Sequence, residues 1–218
     1  MRTTRIVVAL VAAVAMVAGL AACSVFGTEG TGDIQTESRT VPAFTRVDVE
    51  DGIRAVITHG AVATVEVNAQ ANILPLVVTQ VADGTLRVHA KEGYHTDVPV
   101  EVDITIPGIE AVFLSGGAHA DVTVGDVDAL QMDLSGGSNA TATGTASSLT
   151  LQASGGSQAD LGMLRAVGVG LDLSGGSNAT VSATGKASGT ASGGSHVTVL
   201  GGGTIDVDAS GGSSVTPG

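Results

Sequence analysis

Ser135-Gly136-Gly137-Ser138-Asn139-Ala140-Thr141 decides the fold, because close copies of it recur to the end of the chain. Ser-Gly-Gly begins at Ser115, Ser135, Ser154, Ser174, Ser192 and Ser210, at intervals of 20, 19, 20, 18 and 18 residues. Self-similarity at about 20 residues marks a solenoid, in which each repeat buries its apolar side only by stacking on its neighbours.

Aligning the copies on that serine produces columns. The residue before it is Leu114, Leu134, Ala153, Leu173, Ala191 and Ala209, and two places earlier stand Val112, Met132, Leu151, Leu171, Gly189 and Val207. Beyond the glycines come Ala120, Ala140, Ala159, Ala179, Val197 and Val215, then Val122, Ala142, Leu161, Val181, Val199 and Pro217. Apolar positions two apart on both sides of a glycine pair form one inward strand face, with Asp133, Asp172, Asp208, Thr141, Thr180 and Thr198 pointing outward. The expected fold is all-β: a right-handed parallel β-helix with coils of 18–20 residues, neighbouring coils about 4.8 Å apart.

The corners of such a coil are expected at Gly116-Gly117, Gly136-Gly137, Gly155-Gly156, Gly175-Gly176, Gly193-Gly194 and Gly211-Gly212. Glycine turns the chain there without a Cβ clash and lets backbones approach closely from rung to rung. A phosphate cradle is the competing reading of a Gly-rich loop, but no helix follows to receive an anion. The stretches 125–128, 144–148, 162–167 and 201–203 absorb the variation in repeat length and read as the second corner.

Upstream, residues 41–108 read as a strand-rich N-terminal section. Val47, Val49, Ile53, Ala55, Ile57, Val65 and Val67 alternate with polar residues, Asp51-Gly52 and His59-Gly60 punctuate the run, and Asp83-Gly84 is a tight turn. Pro75 allows one or two helical turns near Ile73 and Leu74. Val98 to Ile106 forms a long alternating strand that leads into the repeats at 109–218.

At the N-terminus, Arg2 and Arg5 precede an apolar run from Ile6 to Leu20 and the sequence Leu20-Ala21-Ala22-Cys23. A basic start, a short apolar stretch and small residues before a cleavage point form an export signal, here residues 1–22. Leu20-Ala21-Ala22-Cys23 resembles the lipobox of bacterial lipoproteins, which implies that Cys23 becomes a lipidated N-terminus. Residues 23–40 then read as the lipidated Cys and a flexible tether, and 41–218 as one β domain. Removing residues 1–22 takes away two Arg and no acid, so the formal charge of −12 deepens to −14. That charge excludes nucleic acid as a partner and opposes adsorption to anionic headgroups, leaving acyl chains on Cys23 as the route to the membrane. With a single Cys the chain forms no internal disulfide. Aromatics at 2% and 32 Gly allow only a thin core of Ala and branched aliphatics.

Val41-Pro42-Ala43-Phe44, His59-Gly60, Ala71-Asn72-Ile73-Leu74, Asp83-Gly84-Thr85-Leu86 and the recurrent Leu-Ser-Gly-Gly-Ser together resemble the bacterial GIN-domain family, named for auto-transporter adhesin heads. The resemblance runs from Val41 to the end. It implies a right-handed β-helical domain on exported, often lipid-anchored proteins, with no established enzymatic activity and no catalytic residues to carry over.

Candidate sites lie outside the core columns. The fifth place of each repeat is His119, Asn139, Gln158, Asn178, His196 and Ser214, a polar stripe suited to a glycan, or more plainly a set of outward polar residues stacked rung on rung. His119 and His196 are four rungs apart, about 19 Å, and share no metal. His89, Glu92, His95 and Asp97 cluster in sequence around Tyr94 but read as a solvated loop. A calcium roll needs an Asp in every repeat, which is missing. Asp133 and Asp172 share a column with Gln152 between them, about 9.6 Å apart, yet without an aromatic to stack a sugar they do not make a hydrolase. The expectation is a non-enzyme with no cofactor and no metal: an adhesin-like envelope module whose partner is a glycan or an envelope protein. A structural protein that stacks through its solenoid ends is the second reading, and a carbohydrate-active enzyme the third.

Overall fold

The computed structural model describes residues 27–218, and the expected export signal and Cys23 lie outside those residues. In chain order, β1 (Thr28–Glu29) and β2 (Ile34–Ser38) precede an opening rung of β3 (Arg46–Val49) and β4 (Arg54–His59). Next come β5 (Thr64–Gln70), β6 (Val77–Ala82), β7 (Thr85–Ala90), β8 (Tyr94–His95) and β9 (Glu101–Ile106). The repeats form β10 (Ala111–Leu114), β11 (His119–Leu134), β12 (Asn139–Ala153), β13 (Gln158–Leu173), β14 (Asn178–Ala191), β15 (His196–Leu200), β16 (Thr204–Ala209) and β17 (Ser214–Pro217). Together they make a β-solenoid of about five turns.

The repeat columns are the ladder register. Val112, Met132, Leu151, Leu171, Gly189 and Val207 are successive parallel partners, as are Leu114, Leu134, Ala153, Leu173, Ala191 and Ala209. Apart from Gly189, which is half-buried, members of these columns are 0–4% exposed from Val112 through Ala191, whereas Val207 is only half-buried and Ala209 exposed. From β11 to β14 the second corner is not a loop, whereas in the last repeat it is the expected turn, at Gly201-Gly202 between β15 and β16. β11 to β14 run through the corner as strands of 14–16 residues, and the length differences appear as register shifts at Thr123/Asp126, Thr141/Thr143 and Leu161/Arg165. Such bulges bend a strand while keeping the ladder on either side.

The Ser-Gly-Gly-Ser corner is a four-residue turn. Ser138 N–H donates to the Ser135 carbonyl at 3.3 Å, and φ is +63° at Gly136 and +78° at Gly137, the two left-handed residues of a type I′ turn. The closing serine is fully buried and adds a second bond, Ser138 Oγ to Ser135 O at 2.7 Å, and Ser157, Ser177 and Ser195 repeat it. The two glycines differ in what they need. A Cβ on Gly136 would sit 3.1 Å from the Gly116 nitrogen of the rung beside it, while one on Gly137 would meet nothing. The first glycine therefore serves both stacking and turn, the second the turn alone.

The solenoid starts one rung earlier than the division at residue 108 places it. Glu50-Asp51-Gly52-Ile53 makes the same corner, with φ +61° at Asp51 and +70° at Gly52, and β3 and β4 pair in parallel with β10 and β11. Residues 60–108 then build a cap on the far side of that rung. β7 and β9 extend it in parallel, after which β6 and β5 pair antiparallel to them. The helical segment expected near Pro75 is a single 3-10 turn, Leu74–Leu76, that buries Ile73 and Leu74 at this end of the core.

The expected tether is corrected between Thr28 and Ser38. β1 pairs with β8, and β2 pairs antiparallel with β5 from Ile34–Gln70 to Ser38–Glu66. Asn72 ties the connection by accepting from Thr31 N–H and donating to Glu29 O, both at 2.7 Å. β2 is exposed along its whole length, so it carries no apolar alternation. Its order comes from backbone bonding at a sheet edge, which composition does not reveal.

Candidate functional site

Two outward columns run along the solenoid on either side of the glycine corners. The first is the stripe expected from the sequence. His119, Asn139, Gln158, Asn178, His196 and Ser214 are one-to-one ladder partners, and Arg54 and Glu101 extend the line toward the cap.

Its two halves differ. Near the cap the side chains satisfy one another. Arg54 contacts Glu101 at 3.5 Å and pairs with Asp121, His119 Nε2 lies 3.5 Å from Asp121 Oδ1, and Thr141 Oγ1 donates to that oxygen at 2.8 Å. Farther along, Gln158, Asn178 and His196 with Asp160, Thr180 and Thr198 line an open depression of about 320 Å³. The side chains free to meet a ligand are those of the upper half.

The second column precedes the corners. Asp48, Phe113, Asp133, Gln152 and Asp172 are successive partners, and with Ser115, Ser135, Ser154 and Ser174 they line a groove of about 330 Å³ along the solenoid axis. The sequence gives Asp133, Gln152 and Asp172 in this order. It misses Asp48, because the first rung has Glu-Asp-Gly in place of Ser-Gly-Gly, and it misses Phe113, so the expected lack of an aromatic is corrected. The signal was present: Val47-Asp48-Val49-Glu50-Asp51-Gly52 repeats the spacing of Leu171-Asp172-Leu173-Ser174-Gly175-Gly176.

Electrostatics separate the two columns. Burial pushes the Asp121 carboxyl up, but the Thr141 donor and the charge and hydrogen bond of Arg54 outweigh it and hold the group below its ordinary value. Burial raises Asp133, and a hydrogen bond from Gln131 at 2.9 Å offsets only part of this. Asp133 Oδ1 is buried with no hydrogen-bond partner. Asp48 is also raised, by burial and then by the Glu50 charge, against the pull of Arg87. The other sequence cluster does not converge: Glu92 accepts from Thr28 Oγ1, and among the described residues no three His, Cys, Asp or Glu side chains come together around a metal position.

These directions give stability changes of opposite sign. A lowered carboxyl contributes stability that is present above the ordinary Asp value near 3.9 and is lost as pH falls through its folded value. A raised one favours the fold below about 3.9 and loses that contribution as pH rises through its folded value. Asp121→Asn is therefore expected to destabilise the domain at pH 7 by about 0.5–1 kcal/mol, a size suited to a partly exposed pair. Asp133→Asn is expected to stabilise it at pH 7, with the gain shrinking as pH falls toward 4. Thermal unfolding of both variants across pH 3–8 checks the pair of signs.

The fold recurs in solved structures of bacterial proteins. A protein of Bacteroides fragilis described as a "putative adhesin" superposes with a TM-score of 0.73 at 19% identity, covering 88% of this chain and 100% of its own. A "putative adhesin" of Parabacteroides merdae matches with 0.53 at 16% identity, covering 88% and 99%. A "putative lipid binding protein" of Parabacteroides distasonis also gives 0.53, at 12% identity, covering 87% and 98%. At these identities the likeness is one of fold, and no curated protein matches the sequence. The profile of the family "Putative auto-transporter adhesin, head GIN domain" matches residues 43–203, from the first rung through the fifth Ser-Gly-Gly corner, and the chain belongs to that family.

Proposed function

We propose that the chain is an exported, lipid-anchored envelope protein that acts as a non-catalytic, adhesin-like binding module. The observation that carries this reading is the ladder itself: each rung holds one polar side chain in a continuous outward column, at constant spacing on a rigid frame. A surface with a regular period suits a ligand with a regular period, such as a surface glycan. The family and the similar structures point to adhesins rather than enzymes.

Anchoring through Cys23 has a geometric consequence. Pairing begins at Thr28, so at most about 18 Å of extended chain separates the lipidated residue from the fold. The capped end then sits against the membrane and the repeats project from it. Metabolic labelling with a radioactive fatty acid is expected to mark the wild-type protein and not Cys23→Ser, and label persisting on that variant refutes the anchor. A glycan array probed with the full chain is expected to give signals that weaken when Gln158, Asn178 and His196 are replaced by Ala. A blank array removes the glycan version of the reading.

Stacking through the solenoid ends is the second reading. Among the described residues β16 and β17 have ladder partners on one side only. Asp206, Asp208 and Pro217 on those strands are residue types that oppose edge pairing, so this is the weaker reading.

A further inference from the structure

We infer that the groove lined by Phe113, Asp133, Gln152 and Asp172 binds a linear oligosaccharide carrying free amino groups. This rests on the binding reading above and adds to the stripe of Gln158, Asn178 and His196 a second glycan surface, on the column before the corners.

The shape argues for a chain rather than a compact molecule. From Asp48 to Asp172 the groove spans four rung steps, about 19 Å along the axis. Its backbone groups are spent in the parallel ladders, with each rung in this sheet paired on both sides from β3 to β13, so a peptide finds no free edge to extend. Recognition falls to side chains: carboxylates that accept, and serine hydroxyls and an amide that both donate and accept. This is the complement of a sugar chain rich in hydroxyl groups. Phe113 is partly exposed, one rung in from the cap end of the column, and offers an apolar face to the C–H side of a pyranose ring.

Charge chooses the kind of sugar. The nearest cation, Arg87, is engaged at the cap end by Asp48 and Glu50, both at 3.2 Å. From Phe113 outward the groove holds the carboxylates of Asp133 and Asp172 and no Lys or Arg. An acidic polysaccharide is repelled, and an ammonium group is drawn in. Beside Phe113 in the column, Asp133 carries the unpaired buried oxygen, an acceptor for which the fold supplies no donor. That oxygen is closed to a ligand, so an ammonium group in this part of the groove is drawn by the charge of the carboxylate as a whole, and the aromatic face adds cation–π attraction.

The test is calorimetric titration of the full chain, in detergent, with four oligomers: glucosamine hexamer, N-acetylglucosamine hexamer, galacturonate hexamer and hexalysine. The expected result is binding of the glucosamine hexamer, about tenfold or more weaker binding of the N-acetylated and acidic hexamers, and weakening with added salt. Phe113→Ala and the double variant Asp133→Asn/Asp172→Asn should each reduce affinity about tenfold or more. Asp126→Asn/Asp128→Asn, which removes the same charge from exposed positions of β11 at the second corner, should leave it unchanged. Circular dichroism melting establishes that each variant is folded, and Gln152→Ala, which keeps every charge, is the substitute where one is not. Equal binding of the acetylated hexamer, equal binding of hexalysine, insensitivity to the groove variants, or no binding of the glucosamine hexamer each overturns the inference. Array signals that persist through the Phe113 and Asp133/Asp172 changes but fall with the Gln158, Asn178 and His196 changes overturn the groove alone and leave the binding reading standing.

Discussion

Gly189→Ala is expected to detach the last rungs of the solenoid. In the sequence this glycine stands in the core column between Leu171 and Val207, where the pattern invites an aliphatic residue. The backbone refuses one. Gly189 has φ of +139°, a region that residues with a Cβ rarely enter, and an added Cβ would lie 1.9 Å from the Leu171 carbonyl oxygen and 2.7 Å from its carbon. Those atoms belong to the neighbouring rung, so relief requires β14 to leave its ladder with β13 along that segment. A penalty of about 3–5 kcal/mol follows, the range reserved for strain and steric conflict in a packed interior.

In a solenoid each rung leans mainly on the next, so the damage is expected to be directional. β15 and β16 pair with β14, and β17 with β15, whereas β3 to β13 hold one another. Hydrogen exchange should show the amides of residues 196–217 exchanging near the intrinsic rate while those of β11 and β12 stay protected. The control is Gly168→Ala, where φ is ordinary and the nearest atom to a new Cβ is 3.9 Å away. It should change stability by no more than about 0.5–1 kcal/mol, in either direction. Uniform loss of protection across all rungs in Gly189→Ala would show that the stack unfolds as one unit and would overturn the directional account.

The repeats were readable because three signals agree in each of them: alternation of period two, a Gly-Gly corner, and a spacing that returns the same residue to the same place. The ladder reproduces those columns except at Ala142 and Leu161, which fall at a register shift. What escaped reading lacked one of the three. The rung of β3 and β4 has the alternation but turns on Asp51-Gly52, which occupies the same left-handed pair of conformations. β2 has no buried face at all, so pattern alone cannot separate it from a tether. The cap could not be read because its antiparallel partners are chosen by three-dimensional proximity. Residues 60–108 leave the first rung, close its far side and return to its near side, and nothing periodic records that detour.

The candidate sites follow the same division. The stripe from His119 to Ser214 is a pure register property and was visible as such. Which part of it is open was not, because the closure comes from Arg54 and Asp121, which are 67 residues apart. Phe113 in the groove is a single departure from an otherwise polar column. A reading built on what repeats passes over it.

Leu151→Ala is expected to cost about 2–5 kcal/mol, and Val207→Ala in the same column less than about 1 kcal/mol. Leu151 is 0% exposed and lies between Met132 and Leu171, themselves 0% and 4% exposed. With a core built from Ala and branched aliphatics, one leucine is a large share of the apolar volume of its rung. The rungs above and below are fixed by their own ladders and cannot collapse into the space. Among the described residues Val207 has a ladder neighbour on one side only, Gly189, which presents no side chain, and it is already half-exposed. Truncating it removes little contact and leaves no enclosed void. Urea unfolding gives both numbers, and the ratio is the informative quantity. A ratio of several-fold means that cohesion is concentrated in the middle rungs and that the last one is held chiefly by its backbone ladder. Equal losses would mean that Val207 is packed as tightly as Leu151, which requires something to cover the last rung in solution. In that case the end-stacking reading gains over the isolated module, and the variant's sedimentation behaviour decides between them.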